Sequence, residues 1–237
     1  LFEHIRNAMS QRPPYLRIAL TFARNSLIRN MMFPANFVIE SISSICWMLM
    51  NLGFYLIVFN YTPMLGSSDD PAAAWTKYKF LVFLATTMFV NSAVQMFFMP
   101  NAEEFSEMIR TGNLDFALLK PIDTQFLISL QRVDWSAAAD FVIALALLLY
   151  SVPRIQGFSP SWSAVMLYPL YVVLGILIMY SVMVALSATS VWLGRNQTLY
   201  DFWFYITNFS RYPLEIYDGP VGIWLRWMFL FIVPVLV

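Results

Sequence analysis

The chain has 237 residues, of which 59% are hydrophobic, 17% aromatic and only 12% charged, and its mean hydropathy is +0.64. Soluble domains carry about a quarter charged residues, so this composition excludes a soluble globular domain. Long apolar blocks read as bilayer-spanning helices, and the expected fold is an all-α membrane protein, a polytopic helical bundle. Fourteen basic residues balance fourteen acidic ones, which offers nothing to a nucleic acid. The single cysteine, Cys46, excludes an internal disulfide.

Residues 1–33 read as an N-terminal amphipathic helix lying at the membrane interface. Leu16, Leu20, Ala23, Leu27 and Met31 draw one apolar stripe. Arg17 and Arg24 flank it and Arg29 lies opposite, placed to lay apolar stems on the boundary and reach lipid phosphate. Packing on other protein is the plainer alternative. The polar, basic start and the long first apolar block give no sign of a cleavable leader. Residues 34–237 form the membrane domain. Its first span covers 34–61, and a polar turn containing Asp69-Asp70-Pro71 follows. The second span covers 78–99 and stops at Pro100-Asn101. Asn101 with Glu104 forms a capping-box pattern that opens a short helix, and Gly112-Asn113 ends it. The third span ends near Tyr150. Its apolar part starts near Val133, and its helix reaches back toward Gln125. The fourth span covers 162–193. Gly194-Arg195-Asn196-Gln197 is a turn, and 200–209 is an aromatic-rich block opened by Asp201. A final apolar run covers 223–237, for five to six spans in all.

Suppose the N-terminus is cytoplasmic. Nine of the fourteen basic residues then fall on the cytoplasmic side, as the positive-inside bias expects.

Enzyme signatures are missing. His4 is the only histidine, so neither a histidine metal site nor a Ser-His-Asp triad has support. No G-x-x-x-x-G-K-[ST] loop occurs; catalytic, cofactor and metal residues are therefore none, and any ATP must sit on another subunit. Glu40, about 9 Å into the first span at helical rise, and Asp140, early in the third, are carboxylates near or inside the bilayer. Such groups are costly and face protein or water. They read either as substrate or proton contacts, or as headgroup-level residues paired with a neighbour such as Arg132. Residues 101–123 are the longest charged stretch on the expected cytoplasmic side. A charged rim of Glu103, Glu104, Glu107 and Arg110 borders an apolar edge of Phe105, Met108 and Ile109. That pattern suits docking into a groove on a partner as well as it suits a solvated linker.

Met108-Ile109-Arg110-Thr111-Gly112-Asn113-Leu114-Asp115, running on to Leu118-Leu119-Lys120-Pro121-Ile122-Asp123, resembles a signature of ABC transporter permeases of the type-two, exporter-like class. Ala35-Asn36-Phe37, Arg132-Val133-Asp134 and the stretch from Phe209 to Tyr217 are similar to the same small six-span branch, in the same order. The resemblance implies a permease subunit that pairs with a second copy or a related permease. A separate dimer of ABC ATPase subunits would carry ATP and Mg. It implies a coupling segment at 101–123, with Glu103, Glu104, Phe105, Glu107, Met108 and Arg110 toward the ATPase. It also implies a re-entrant segment at about 210–237, a further apolar helix after Val237, and export across the cytoplasmic membrane of a prokaryote. Two other readings stay beside it: a membrane scaffold or accessory subunit without its own path, and an ion-coupled secondary transporter using Glu40 or Asp140.

Overall fold

The computed structural model describes residues 14–65, 75–155 and 161–193, together with Ile223, Trp224 and Trp227. Residues 1–13, the Gly194–Gln197 turn, Asp201, the 200–209 block and, apart from those three residues, the expected re-entrant stretch lie outside the described residues. In chain order the elements are α1 (Tyr15–Met31), α2 (Pro34–Tyr61), β1 (Met64–Leu65), β2 (Trp75–Thr76), α3 (Lys77–Phe97), α4 (Met99–Thr111), α5 (Leu114–Leu118), α6 (Thr124–Leu130), α7 (Ala138–Ser151), a 3₁₀ turn (Val152–Arg154), α8 (Trp162–Ala188) and α9 (Ser190–Leu193). Among the described residues three runs, Pro34–Tyr61, Lys77–Thr111 and Trp162–Leu193, are long and apolar enough to cross a membrane. The chain is thus an all-α, multi-pass membrane protein.

α2 starts on Pro34, whose missing N–H falls in the first turn where no intrahelical partner exists. β1 and β2 pair as a two-residue antiparallel ribbon, Met64 opposite Thr76 and Leu65 opposite Trp75. The ribbon closes the α2–α3 connection and was not legible in the polar turn. Beside it, Tyr55 and Phe59 of α2 pack on the buried Phe80 of α3, with ring centroids 4.8 and 5.4 Å apart.

α3 is the helix around which the others gather, and it is far more buried than α2 or α8. α7 lies along it in the most extensive helix pair of the bundle. Small residues permit this approach: Ala85, Ser92 and Ala93 on α3, Ala144 and Ser151 on α7, all buried. At the far end of α3, Val94 and Ala102 pack with Met179 and Met183 of α8.

Two expectations are corrected. Asn101 does not cap a helix. α4 begins at Met99, one residue after α3 ends, with Phe98 at the N-cap and Pro100 in the first turn. The third span is not one helix reaching back to Gln125. α6 stops at Leu130 and α7 starts at Ala138, with an irregular stretch between. α7 has 14 residues, about 21 Å at helical rise, which is short of a ~30 Å hydrocarbon core.

Both corrections have one cause. The Asn101 side chain is buried and clamps the Arg132 backbone. Its Oδ1 accepts from the Arg132 N–H at 2.8 Å, and its Nδ2 donates to the Arg132 carbonyl at 2.7 Å and to the Phe97 carbonyl at 2.7 Å. The Val133 N–H donates to Ser26 Oγ at 3.1 Å, and the Asp134 N–H to the Met96 carbonyl at 2.8 Å. Three successive donors that a continuous helix would direct four residues back are held elsewhere. Asp134 Oδ1 then accepts from the N–H and the hydroxyl of Ser136, at 2.9 and 2.6 Å, and this turns the chain into α7.

α1 is seated by the same stretch, with the Trp135 indole N–H donating to the Ala23 carbonyl at 3.0 Å. Its polar Ser26 is the buried residue, while Leu16, Leu20 and Met31 of the apolar stripe point away from the bundle. Ala23 and Leu27 are half-buried.

Replacing Asn101 by Ala leaves the Arg132 N–H and carbonyl unpaired. A loss of about 2–6 kcal/mol is expected, at roughly 1–3 for each of the two orphaned buried groups. Thermal unfolding of the purified protein in detergent should shift downward accordingly, and hydrogen exchange at 131–137 should rise more than at 80–90.

Candidate functional site

The 101–123 segment leaves the bundle as a stem and a loop. α4 continues α3 after a single junction residue, and the two read as one run of 35 residues. Gly112 ends α4 with φ +75°, and its N–H donates to the Ile109 carbonyl at 3.3 Å. Any residue with a Cβ would be strained there. α5 follows. The Asp123 side chain, accepting from the Phe126 N–H at 2.8 Å, caps α6.

The segment's residues separate into two groups. Glu103, Glu107 and Arg110 are exposed. The Arg110 guanidinium forks onto the Glu107 carboxylate, with Nε 2.8 Å from Oε2 and a second contact from Nη2 to Oε1. Glu104 turns the other way, half-buried, and pairs with Arg132. Met108 and Ile109 are half-buried. Phe105 is too, lining a cleft between α4, α6 and α8 beside Ser129, Tyr180 and Met183. Part of the expected apolar edge is therefore covered by the chain itself. Fully outward apolar groups stand instead on and just after α5, at Phe116, Leu118 and Leu119, the last 80% exposed. They were missed as site residues, although Leu114-Asp115-Phe116-Ala117-Leu118-Leu119 carries too many large apolar groups for a solvated turn.

A second feature lies where α1, α2, α3 and the 131–137 stretch meet. Arg29, Glu40, Gln95, Glu103, Arg132 and Asp134 line an open cleft of about 440 Å³. Burial first, and then the nearby Arg29 charge, push the Arg132 pKa down. Glu40 is exposed, and its Oε1 accepts from Asn36 Nδ2 at 2.7 Å, one helical turn away. Arg17 and Arg24 are exposed on α1.

Asp140 is not near-paired with Arg132. Ser44 of α2 donates to its Oδ2, and Arg132 is taken by Glu104. Periodicity places Asn36, Glu40 and Ser44 on one face of α2 and Thr87, Asn91 and Gln95 on one face of α3, but it does not name Asp140 of α7 as the partner of Ser44. Among the described residues no group of three or more His, Cys, Asp or Glu gathers as a metal site.

The sequence model of a family described as ABC-2 family transporter protein matches residues 45–237. That match takes in most of α2 and everything after it, and leaves α1 outside. No curated protein and no solved structure matches the chain.

The Glu104–Arg132 pair has one partner 39% exposed and the other 18%, so water screens it in part. Arg132→Met is expected to cost about 1–3 kcal/mol, between the values for surface pairs and buried pairs. A double-mutant cycle with Glu104→Gln, read by thermal unfolding, should show coupling between the two positions. Strict additivity would separate them.

Proposed function

The chain belongs to the ABC-2 family of transporter proteins, and from that premise we propose how this membrane-spanning permease subunit works. In this reading it exports a substrate across the cytoplasmic membrane of a prokaryote, with its N-terminus in the cytoplasm. The chain carries no phosphate-binding loop, so ATP and Mg are held by a dimer of partner ATPase subunits. A second permease, identical or related, completes the path. α1 lies on the membrane surface. Its outward Leu16, Leu20 and Met31 meet lipid, and Arg17 and Arg24 reach toward phosphate.

One observation carries the mechanism: α4 prolongs α3, the helix on which the rest of the bundle packs. A partner pressing on α4 and α5 pushes along a continuous rod, and helices transmit such displacements because packed cores deform in discrete steps. Asn101 and Glu104 tie the same rod to the 131–137 stretch, and through it to α1 and α7. Closure of the ATPases around ATP would thereby move several helices at once and switch access to the path. The contact with the ATPase is made by Glu103, Glu107 and Arg110 on the rim of α4 and by Phe116, Leu118 and Leu119 beyond it. Glu104 and Phe105, turned inward, act on the bundle side of the lever, and Met108 borders the contact.

Arg110→Glu tests this reading. It breaks an exposed contact and leaves the Asn101 clamp alone, so the unfolding midpoint should stay unchanged. ATP hydrolysis stimulated by the permease should fall several-fold in the reconstituted complex. Unaltered stimulation, or a permease that purifies without any P-loop ATPase, counts against it; the second outcome favours a membrane scaffold.

A further inference from the structure

Two polar stripes face each other inside the apolar bundle. α2 contributes Ser44 and Asn51, and α3 contributes Thr87, Asn91 and Gln95. Asp140, in the first turn of α7, completes the lining of a cavity of about 140 Å³. That is room for about four waters at ~30 Å³ each. Ser44 holds Asp140 Oδ2. Oδ1 is buried and has no hydrogen-bond partner among the described residues. No Lys or Arg is among the described residues that line the cavity. Gln95 also lines the 440 Å³ cleft at the α1 end, so the two spaces share that side chain.

An ionised carboxylate with a buried, unpartnered oxygen requires a counter-charge. The surrounding atoms define which kind. The carboxylate, the hydroxyls of Ser44 and Thr87, and the amide carbonyls of Asn51, Asn91 and Gln95 are hard oxygen donors, which suit alkali ions and ammonium groups and do not suit soft metals. The formal charge of the set is minus one. Among the described residues no second or third carboxylate joins it, so the set neutralises one positive charge and is under-charged for a divalent ion. Trp47 also lines the cavity and offers an aromatic ring to a cation.

We propose that this cavity is a monovalent-cation site, in which Asp140 pairs with either an alkali ion or the ammonium group of a bound molecule. The site is entered from the cleft past Gln95. The inference rests on the cavity and its donor set, and stands apart from the transport reading above.

The test is direct binding to the purified protein in mild detergent, with any subunits that accompany it. Radiolabelled sodium and radiolabelled methylammonium serve as probes in a scintillation proximity assay at low ionic strength, and sucrose holds the osmolarity. Saturable binding of at least one probe is expected. Asp140→Asn should reduce affinity about tenfold or more, the scale of losing one member of a buried charge pair. Ser44→Ala and Asn91→Ala should weaken binding several-fold, and they serve in place of the Asp140 variant should it fail to fold. Sodium binding that methylammonium does not displace assigns an alkali-ion site. Methylammonium binding, alone or by displacing sodium, assigns an ammonium site. If neither probe binds the wild-type protein, or if the folded variants bind as it does, Asp140 is neutralised by a proton and the proposal is overturned.

Discussion

One side-chain amide holds this bundle's irregular end together. Asn101 presents a donor and an acceptor to the backbone of Arg132, 31 residues away, as a neighbouring strand would. The constraint is severe because of where it operates. A buried backbone group left unpaired costs about 1–3 kcal/mol, and irregular chain persists in an interior only when neighbouring groups satisfy it. The 131–137 stretch meets that demand through contacts with α1, α3 and α4 at once. Remove the clamp, and the seat of α1, the inward turn of Glu104 and the start of α7 all lose their reference point.

The outside of the bundle is apolar, unlike that of a soluble protein, and its interior mixes apolar side chains with small polar ones. Large apolar side chains such as Trp47, Phe54 and Ile57 on α2, or Met166, Leu170 and Tyr171 on α8, face outward. The buried positions include Ser26, Ser92, Ser129, Ser151, Ser187 and Ser190. Hydrophobic transfer does not drive helices together when the surroundings are as apolar as the side chains. Close packing by small residues and hydrogen bonds across helices do so instead. Ser129 and Tyr180 at 2.6 Å, and Thr86 and Tyr168 at 2.7 Å, are bonds of this kind, each tying α8 to another helix. The outward faces of α2 and α8 leave broad apolar surface suited to lipid.

The same logic explains why the segment after α3 divides its charges. Glu104 can turn inward because Arg132 meets it there. Glu107 and Arg110 satisfy each other across one helical turn and remain outside. A single amphipathic edge thus becomes two working faces, one holding the bundle and one available to a partner.

Much of the fold was legible. The spans at 34–61 and 162–193 agree with α2 and with α8–α9, and Gly112 stops α4 as its type suggests. These features follow from local causes: hydropathy over twenty or more residues, and the left-handed backbone that glycine tolerates. By itself the sequence determined that the chain is a multi-pass helical membrane protein, and it carried the short motifs whose resemblance pointed to a transporter family. Tertiary structure decided what those motifs hold. Ser44 meets Asp140 across 96 residues, and Val133 meets Ser26 across 107. Periodicity within one helix says which residues share a face, but not which distant group that face will find. Arg132-Val133-Asp134 therefore reads in sequence as the opening of a span. In the folded chain its three N–H groups belong to Asn101, Ser26 and Met96, and the helix waits until Ala138 to begin.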